Sequence, residues 1–316
     1  MTAVETSPFG THLSTGRKVR NRLATICMGV AFLVAAVPLV IVLVTLVTKG
    51  AGVVFGLDWW TKPIPSNVAS AALADKTDVF GIDPSQVTRQ TVVYGMWPAI
   101  WGTLLTTAIA AVLSIPLGIM AAVYLNEYGG NGRAARVIRF FTDVMTGVPS
   151  VVMGVFIYTV WVVPLQAQGR SAFAGSLALG ALMLPIVVRS TEEMLRLVPD
   201  ALRDASAALG SPRWRTTVKV VLPAALPGIT SGAMLAVARA AGETAPVLFA
   251  IGTVSAVNWS PFGQNTTLAA QIYSNATQPG GESIAWGAAL TLIGLVMVLT
   301  LIARGVSSRF SVRVDL

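Results

Sequence analysis

Six stretches of this 316-residue chain are apolar over lengths that approach or exceed the roughly 20 helical residues needed to cross a hydrocarbon core about 30 Å thick. Their approximate limits are Leu23 to Thr48, Trp97 to Leu125, Phe140 to Val163, Phe173 to Val188, Pro223 to Gly252 and Ile284 to Ala303. Only 11% of the residues are charged, against about 25% in an ordinary soluble domain. The pattern predicts an all-α polytopic membrane protein with six transmembrane helices. The first stretch is longer than the apolar core of a secretory signal and lacks a small-residue cleavage site before its end, so it is read as a retained span.

The net charge of +8 would suggest nucleic acid if it formed one patch, but the basic residues lie in short clusters beside the apolar runs. There they orient a chain in a bilayer, and no nucleic-acid partner is expected. Sixteen of the 22 lysines and arginines precede the first span or lie in the second-to-third connection, the fourth-to-fifth connection or the C-terminal tail. The alternate loops hold Lys49, Lys62, Lys76, Arg89 and Arg170, and Arg239 is the remainder. Both termini are therefore expected to face the cytoplasm. The expected divisions are a cytoplasmic tail (1–22), a first transmembrane helix (23–48), an extracytoplasmic loop (49–96), a five-helix core (97–304) with a cytoplasmic connection at 189–222, and a C-terminal tail (305–316). A single cysteine, Cys27, excludes an intramolecular disulfide and a zinc cluster, and the one histidine, His12, sits on the polar tail.

Two connections carry information. In "LDWWTKPIPSN", Trp59 and Trp60 are read as anchors at the membrane interface or as contacts for an outside partner. The connection from Arg189 to Leu222 reads as two short helices: "STEEMLRLVPDALRDASAALG" has apolar residues at near-helical spacing interrupted by Pro199, Gly210 suits a helix C-terminus, and a new helix is expected from Ser211 to Leu222. An amphipathic pair lying on the membrane surface is the plainer reading of the same pattern.

The fifth stretch contains "LAVARAAGETAPVLFAIG", with Arg239 and Glu243 four residues apart on one helical face. An uncompensated charge at the middle of a membrane helix costs about 2.5 to 3.5 kcal/mol on the insertion scale, so the two are expected to face protein or a polar cavity. A permanent salt bridge would meet that need. The surrounding Gly242, Thr244 and Pro246 favour a passage instead, since Pro246 cannot donate to the carbonyl of Gly242 and loosens the backbone beside the charges. Arginine presents a planar fork of donors suited to an oxyanion, which points to a transient anion site with Glu243 as the resting companion of Arg239. "TDVMTGVPSVVMG" places Gly147, Pro149 and Ser150 near the middle of the third stretch, where Pro149 is expected to free the carbonyl of Met145 and Gly147 to admit another helix. A kinked packing helix is the alternative. Gly228 and Gly232 form a GxxxG pair, a packing motif.

Asp204, Ala205 and Ser206, then Gly210, then Leu222 and Pro223 after a further interval, resemble the EAA signature of ABC importer permeases. In that family the segment is a cytoplasmic helix-turn-helix that docks into an ATPase subunit. "GVPSVVMG", the EAA-like segment and "ARAAGETAP" resemble, in the family's order, the membrane permease of the bacterial phosphate-specific ABC importer; "GMWPAIWGT" resembles its second-span entrance, and "RAAGETAPVLF" is closer to its A-type than to its C-type permease. The resemblance covers roughly Trp97 to Arg304. It implies an ABC importer permease (MetI-like) fold in a bacterial cell membrane, and a companion C-type permease. It also implies two ATPase copies that bind ATP and Mg, and an extracytoplasmic phosphate-binding protein. On the same ground Arg239 and Glu243 act in phosphate passage, with Thr244, Pro149 and Ser150 beside them. The chain itself needs no cofactor and is not an enzyme: no glycine is followed directly by lysine, so it has no P-loop. A permease for another oxyanion, an ion-driven secondary anion carrier and a membrane scaffold or sensor subunit are the competing readings.

Overall fold

The computed structural model describes residues 15–65 and 95–310, and all regular structure among them is helical. His12, Lys76, Arg89 and Arg313 lie outside the described residues. The chain divides into two compact units, Met1–Thr48 and Lys49–Leu316. Helix α1 (Thr15–Val54) is apolar and long enough to cross a membrane. It starts before the expected limit at Leu23 and runs past Thr48.

The second unit continues with α2 (Leu57–Thr61), α3 (Trp97–Tyr128), α4 (Arg133–Gly147) and α5 (Ser150–Leu165). There follow α6 (Ala172–Arg196), α7 (Asp200–Ala208), α8 (Arg213–Gly242), α9 (Ala245–Ala250), α10 (Leu268–Ala276) and α11 (Glu282–Phe310). α1, α3, α6, α8 and α11 are each long and apolar enough to span, and the pair α4 with α5 makes the sixth if counted as one broken span.

The core of this unit forms around α6, because its small residues let neighbouring backbones come close. A Cβ on Gly118 of α3 would lie 2.7 Å from Val187, and Gly180 of α6 accepts the hydroxyl of Ser114 at 2.9 Å. On the other side Gly228 and Gly232 of α8 receive Met194 and Ser190. The GxxxG pair therefore packs within the chain, by the close approach that drives helix association in lipid.

Several expectations are corrected. The third span is not a single helix from Phe140 to Val163: α4 starts at Arg133 and meets α5 at a bend of 107°. Arg133, Arg136 and Arg139 consequently sit on a helix rather than in a loop. The fifth span does not begin at Pro223. It starts at Arg213, passes through a π turn at Thr217–Val221 and ends at Gly242, so no separate helix covers Ser211 to Leu222. The π turn lies directly before Leu222 and Pro223, and α8 continues past both Pro223 and Pro227.

Trp59 is fully buried, donates its indole N–H to Thr291 at 2.9 Å and packs on Gly287, whereas Trp60 stays partly exposed. Trp59 is a core residue and not an interface anchor. The uncharged fifth-to-sixth connection is also packed: Thr103 accepts the N–H of Leu268 at 2.9 Å, and Gln271 bonds Thr266 at 3.0 Å. These bonds satisfy most of the buried amide and hydroxyl groups there, though Asn265 Oδ1 is buried without a partner among the described residues.

Candidate functional site

Helix breaks interrupt two spans that pack on each other. The first lies between Gly147 and Ser150, where Val148 and Pro149 are extended. The Met145 carbonyl is not left free by Pro149, since the N–H of Val148 donates to it at 3.3 Å. The second break lies at Glu243 and Thr244. Pro246 does not loosen the interior of a long helix. It occupies the first turn of the new helix α9, where a missing N–H costs nothing. The two broken spans meet at Gly154 of α5, whose added Cβ would stand 2.6 Å from the Cα of Pro246. Gly147, expected to admit a neighbour, has open space around it.

Arg239 and Glu243 flank the second break. Arg239 Nε donates to Glu243 Oε1 at 3.4 Å, a long contact, with 64% of the arginine side chain and 19% of the glutamate exposed. The charges are at the end of α8 rather than in the middle of a helix, yet they remain level with the middle of α6. α6 and α8 run antiparallel with Ser190 beside Gly232, and Met183 shares a buried cluster with Ala236 and Ala240. Arg239 is thus level with the neighbourhood of Met183, about 17 Å from one end of α6 and about 20 Å from the other at 1.5 Å per residue. A largely exposed guanidinium at that depth is stable only against water or another protein surface, not lipid. Thr244 and Ser150 are half-buried and Pro149 is exposed, all at the two breaks.

The inner connection is a helix-turn-helix, but not two short helices over Arg189 to Leu222: α6 carries on to Arg196, only α7 is a short helix, and the second arm is the foot of α8. α7 ends at Ala208, Gly210 takes φ of +77° and α8 begins at Arg213. Asp204, Ala205 and Gly210 are exposed, as are the apolar Leu202, Leu209 and Trp214. Ser206 shares a 2.8 Å hydrogen bond with Thr216. Leu222 and Pro223 are not part of this surface: they lie up α8, where Leu222 packs in a cluster with Val221 and Ala225.

Sequence reasoning missed two polar hubs at this end. Glu192 of α6, only 3% exposed, pairs with Arg196 at 2.6 Å, Arg139 of α4 at 3.3 Å and Arg189 at 3.9 Å, and Arg189 also pairs with Asp143 of α4. Arg203 of α7 pairs with Glu127 in the last turn of α3 at 3.0 Å, and with Asp200 at 3.0 Å. It also donates to the carbonyls of Leu195, in the last turn of α6, and of Val198, just beyond it. The Arg203 pKa is raised, first by the Glu127 hydrogen bond and then by the charges of Glu127 and Asp200, against the opposing effect of burial. The Arg189–Glu192, Glu192–Arg196 and Asp200–Arg203 spacings were signals within one helix, whereas Arg139–Glu192, Asp143–Arg189 and Glu127–Arg203 join residues remote in sequence.

The sequence profile of the family described as binding-protein-dependent transport system inner membrane component matches residues 114–312. The phosphate transport system permease protein PstA of Mycobacterium leprae (strain TN) is 44% identical over 301 residues, covering 94% of this chain and 91% of that protein. The PstA of Yersinia pestis is 37% identical over 293 residues, covering 91% of this chain and 90% of that protein. Among solved structures, an inward-facing conformation of the MetNI methionine ABC transporter matches with a TM-score of 0.57 at 20% identity, over 69% of this chain and 98% of that one. At that identity the likeness is one of fold. The antiparallel helical core, its packed breaks and these matches together make the chain a member of the binding-protein-dependent transport system inner membrane component family, among the PstA permeases.

Proposed function

We propose that this chain is the transmembrane permease subunit of an ATP-driven phosphate importer, forming half of the passage and taking its energy from a separate ATPase. The observation that carries the reading is the exposed Arg239 at mid-depth beside the broken backbone at Glu243 and Thr244. An always-charged planar fork facing away from the chain's own core suits a doubly charged oxyanion. A long contact to Glu243 is one that an arriving phosphate can replace without a large cost, and modest affinity lets the ion leave again. Thr244, Pro149 and Ser150 line the same pair of breaks and complete the site. The partners are a companion C-type permease against the open face of Arg239, an extracytoplasmic phosphate-binding protein that delivers the ion, and an ATPase dimer holding ATP and Mg. The ATPase docks on α7 through Asp204, Ala205, Ser206 and Gly210, with Leu209 and Trp214 supplying apolar surface. Leu222 and Pro223 belong to the lever that α8 extends into the bilayer. Both termini and α7 face the cytoplasm, as the basic residues around them favour.

Membranes carrying Arg239→Ala are expected to lose phosphate uptake by at least about a hundredfold, the scale on which removal of one preorganised charged donor acts. The companion permease and ATPase should still co-purify. Competition of radiolabelled phosphate by sulfate and phosphonate defines the ion. Unchanged uptake by an assembled Arg239→Ala importer refutes the role. Uptake by the chain reconstituted alone would support the ion-driven carrier instead.

A further inference from the structure

α7 has no buried residue, so packing alone does not hold it to the rest of the unit. Among the described residues its side chains are tied to other elements at two points. Ser206 bonds Thr216 at the start of α8. Arg203 bonds Glu127 through both carboxylate oxygens, Nη2 to Oε1 at 3.0 Å and Nε to Oε2 at 3.4 Å, and anchors the end of α6 as well. Glu127 belongs to the π turn Tyr124–Tyr128 that ends α3. The same turn is also gripped from α4: Arg139 donates to the Leu125 carbonyl at 3.0 Å and, just beyond the turn, to the Gly130 carbonyl at 3.2 Å. Arg139 is held in turn by Glu192.

We propose that the π turn Tyr124–Tyr128 is the joint that carries motion of α7 into the third span, with Arg203 of α7 and Arg139 of α4 as the positioning residues that hold it. The inference rests on the reading that an ATPase docks on α7. A cleft of about 650 Å³ separates the π turn from α7 and the foot of α8, bordered by Asn126, Asp204, Ser211 and Thr217. It gives α7 room to rotate, while the two-point grip of Arg203 keeps the π turn moving with it. A π turn is one residue wider than its surroundings and deforms more readily than the α-helix above it. From Leu125 the displacement passes through Arg139 to α4, which is also held to α6 by Asp143 and Arg189. α4 ends at Gly147, next to the break opposite Pro246. The Ser206–Thr216 bond serves the fifth span separately, so α7 addresses each broken span by its own connection.

The test uses the full importer in proteoliposomes, with this chain, its companion permease, the ATPase and the binding protein, and reads inorganic phosphate taken up per ATP hydrolysed. Arg203→Met keeps the apolar stem and removes the fork. Its ATPase should remain bound and active while phosphate moved per ATP falls about tenfold, within the usual span of coupling between sites. Arg203→Lys, which cannot grip both oxygens, should recover only part of the ratio. The charge-exchanged pair Arg203→Glu with Glu127→Arg should recover more of it than either single change. If Arg203→Met does not assemble, Glu127→Gln decides, since it removes the charge at constant shape and should show the same fall. An unchanged ratio in Arg203→Met or Glu127→Gln overturns the joint while leaving the importer intact. Failure of the ATPase to co-purify with the unaltered chain overturns the underlying reading itself, and the joint with it.

Discussion

Replacing Gly154 by alanine tests whether the two broken spans are held together at their breaks. The new Cβ would sit 2.6 Å from the Cα of Pro246, 3.1 Å from its carbonyl oxygen and 3.2 Å from its carbonyl carbon. Ordinary contact begins at 3.4 Å, so α5 and α9 must part by roughly 0.8 Å, and both sides of the clash are backbone that cannot swing away. Overpacking of this kind costs about 1 to 3 kcal/mol, and alanine returns about 1 kcal/mol through its helix propensity. The net loss of stability is therefore about 1 kcal/mol, too small to unfold the complex. Function is more sensitive, because a misplacement of about 1 Å can cost about a hundredfold when groups must converge on one ion. Gly154→Ala should lower phosphate uptake at least about fivefold at near-normal thermal stability. Gly175→Ala is the control. Its Cβ would meet Ile251 at 3.5 Å, an ordinary contact on the same packed surface, so stability should stay level or rise by up to about 1 kcal/mol and uptake should not change. Wild-type uptake and unfolding temperature in Gly154→Ala would show that the breaks are not joined there, and the site built on their juxtaposition would fall.

Trp59→Ala removes a fully buried indole and should destabilise the unit by about 3 to 5 kcal/mol, whereas Trp59→Phe loses chiefly the hydrogen bond to Thr291 and should cost about 1 kcal/mol. Thermal unfolding of the detergent-solubilised importer checks both, and equal losses would contradict the packing described. Gly210→Ala forces a side chain into the left-handed region at φ of +77°, which should cost about 1 to 2 kcal/mol at the turn and weaken retention of the ATPase on affinity purification. Gly210→Asn should be milder, and unaltered ATPase retention in Gly210→Ala would separate the turn from docking.

The existence and class of this molecule were written in the order of its residues. A continuous apolar run must become a helix in lipid, since no water is present to satisfy the backbone, and that local demand located the long spans, although both ends of the fifth fell ten residues from those expected and the third proved broken. The Asp204 to Gly210 spacing and the proline and glycine around Glu243 are local as well, and so marked the helix-turn-helix and the break near the charges. Tertiary structure decided what local pattern leaves open. Pro149 signals a disturbance, but only packing against α9 sets whether the chain kinks slightly or turns by 107°. Pro223 and Pro246 look alike in sequence; one is carried within α8 just after its π turn and the other starts a helix. Trp59 has the composition of an interface anchor and becomes core because Gly287 and Thr291, more than 200 residues away, offer a slot and an acceptor. Glu127, Arg139, Glu192 and Arg203 read singly as the charges expected at membrane-helix ends. Their grouping depends on which helices lie side by side, and side-chain periodicity along one helix holds no record of the partner across the gap.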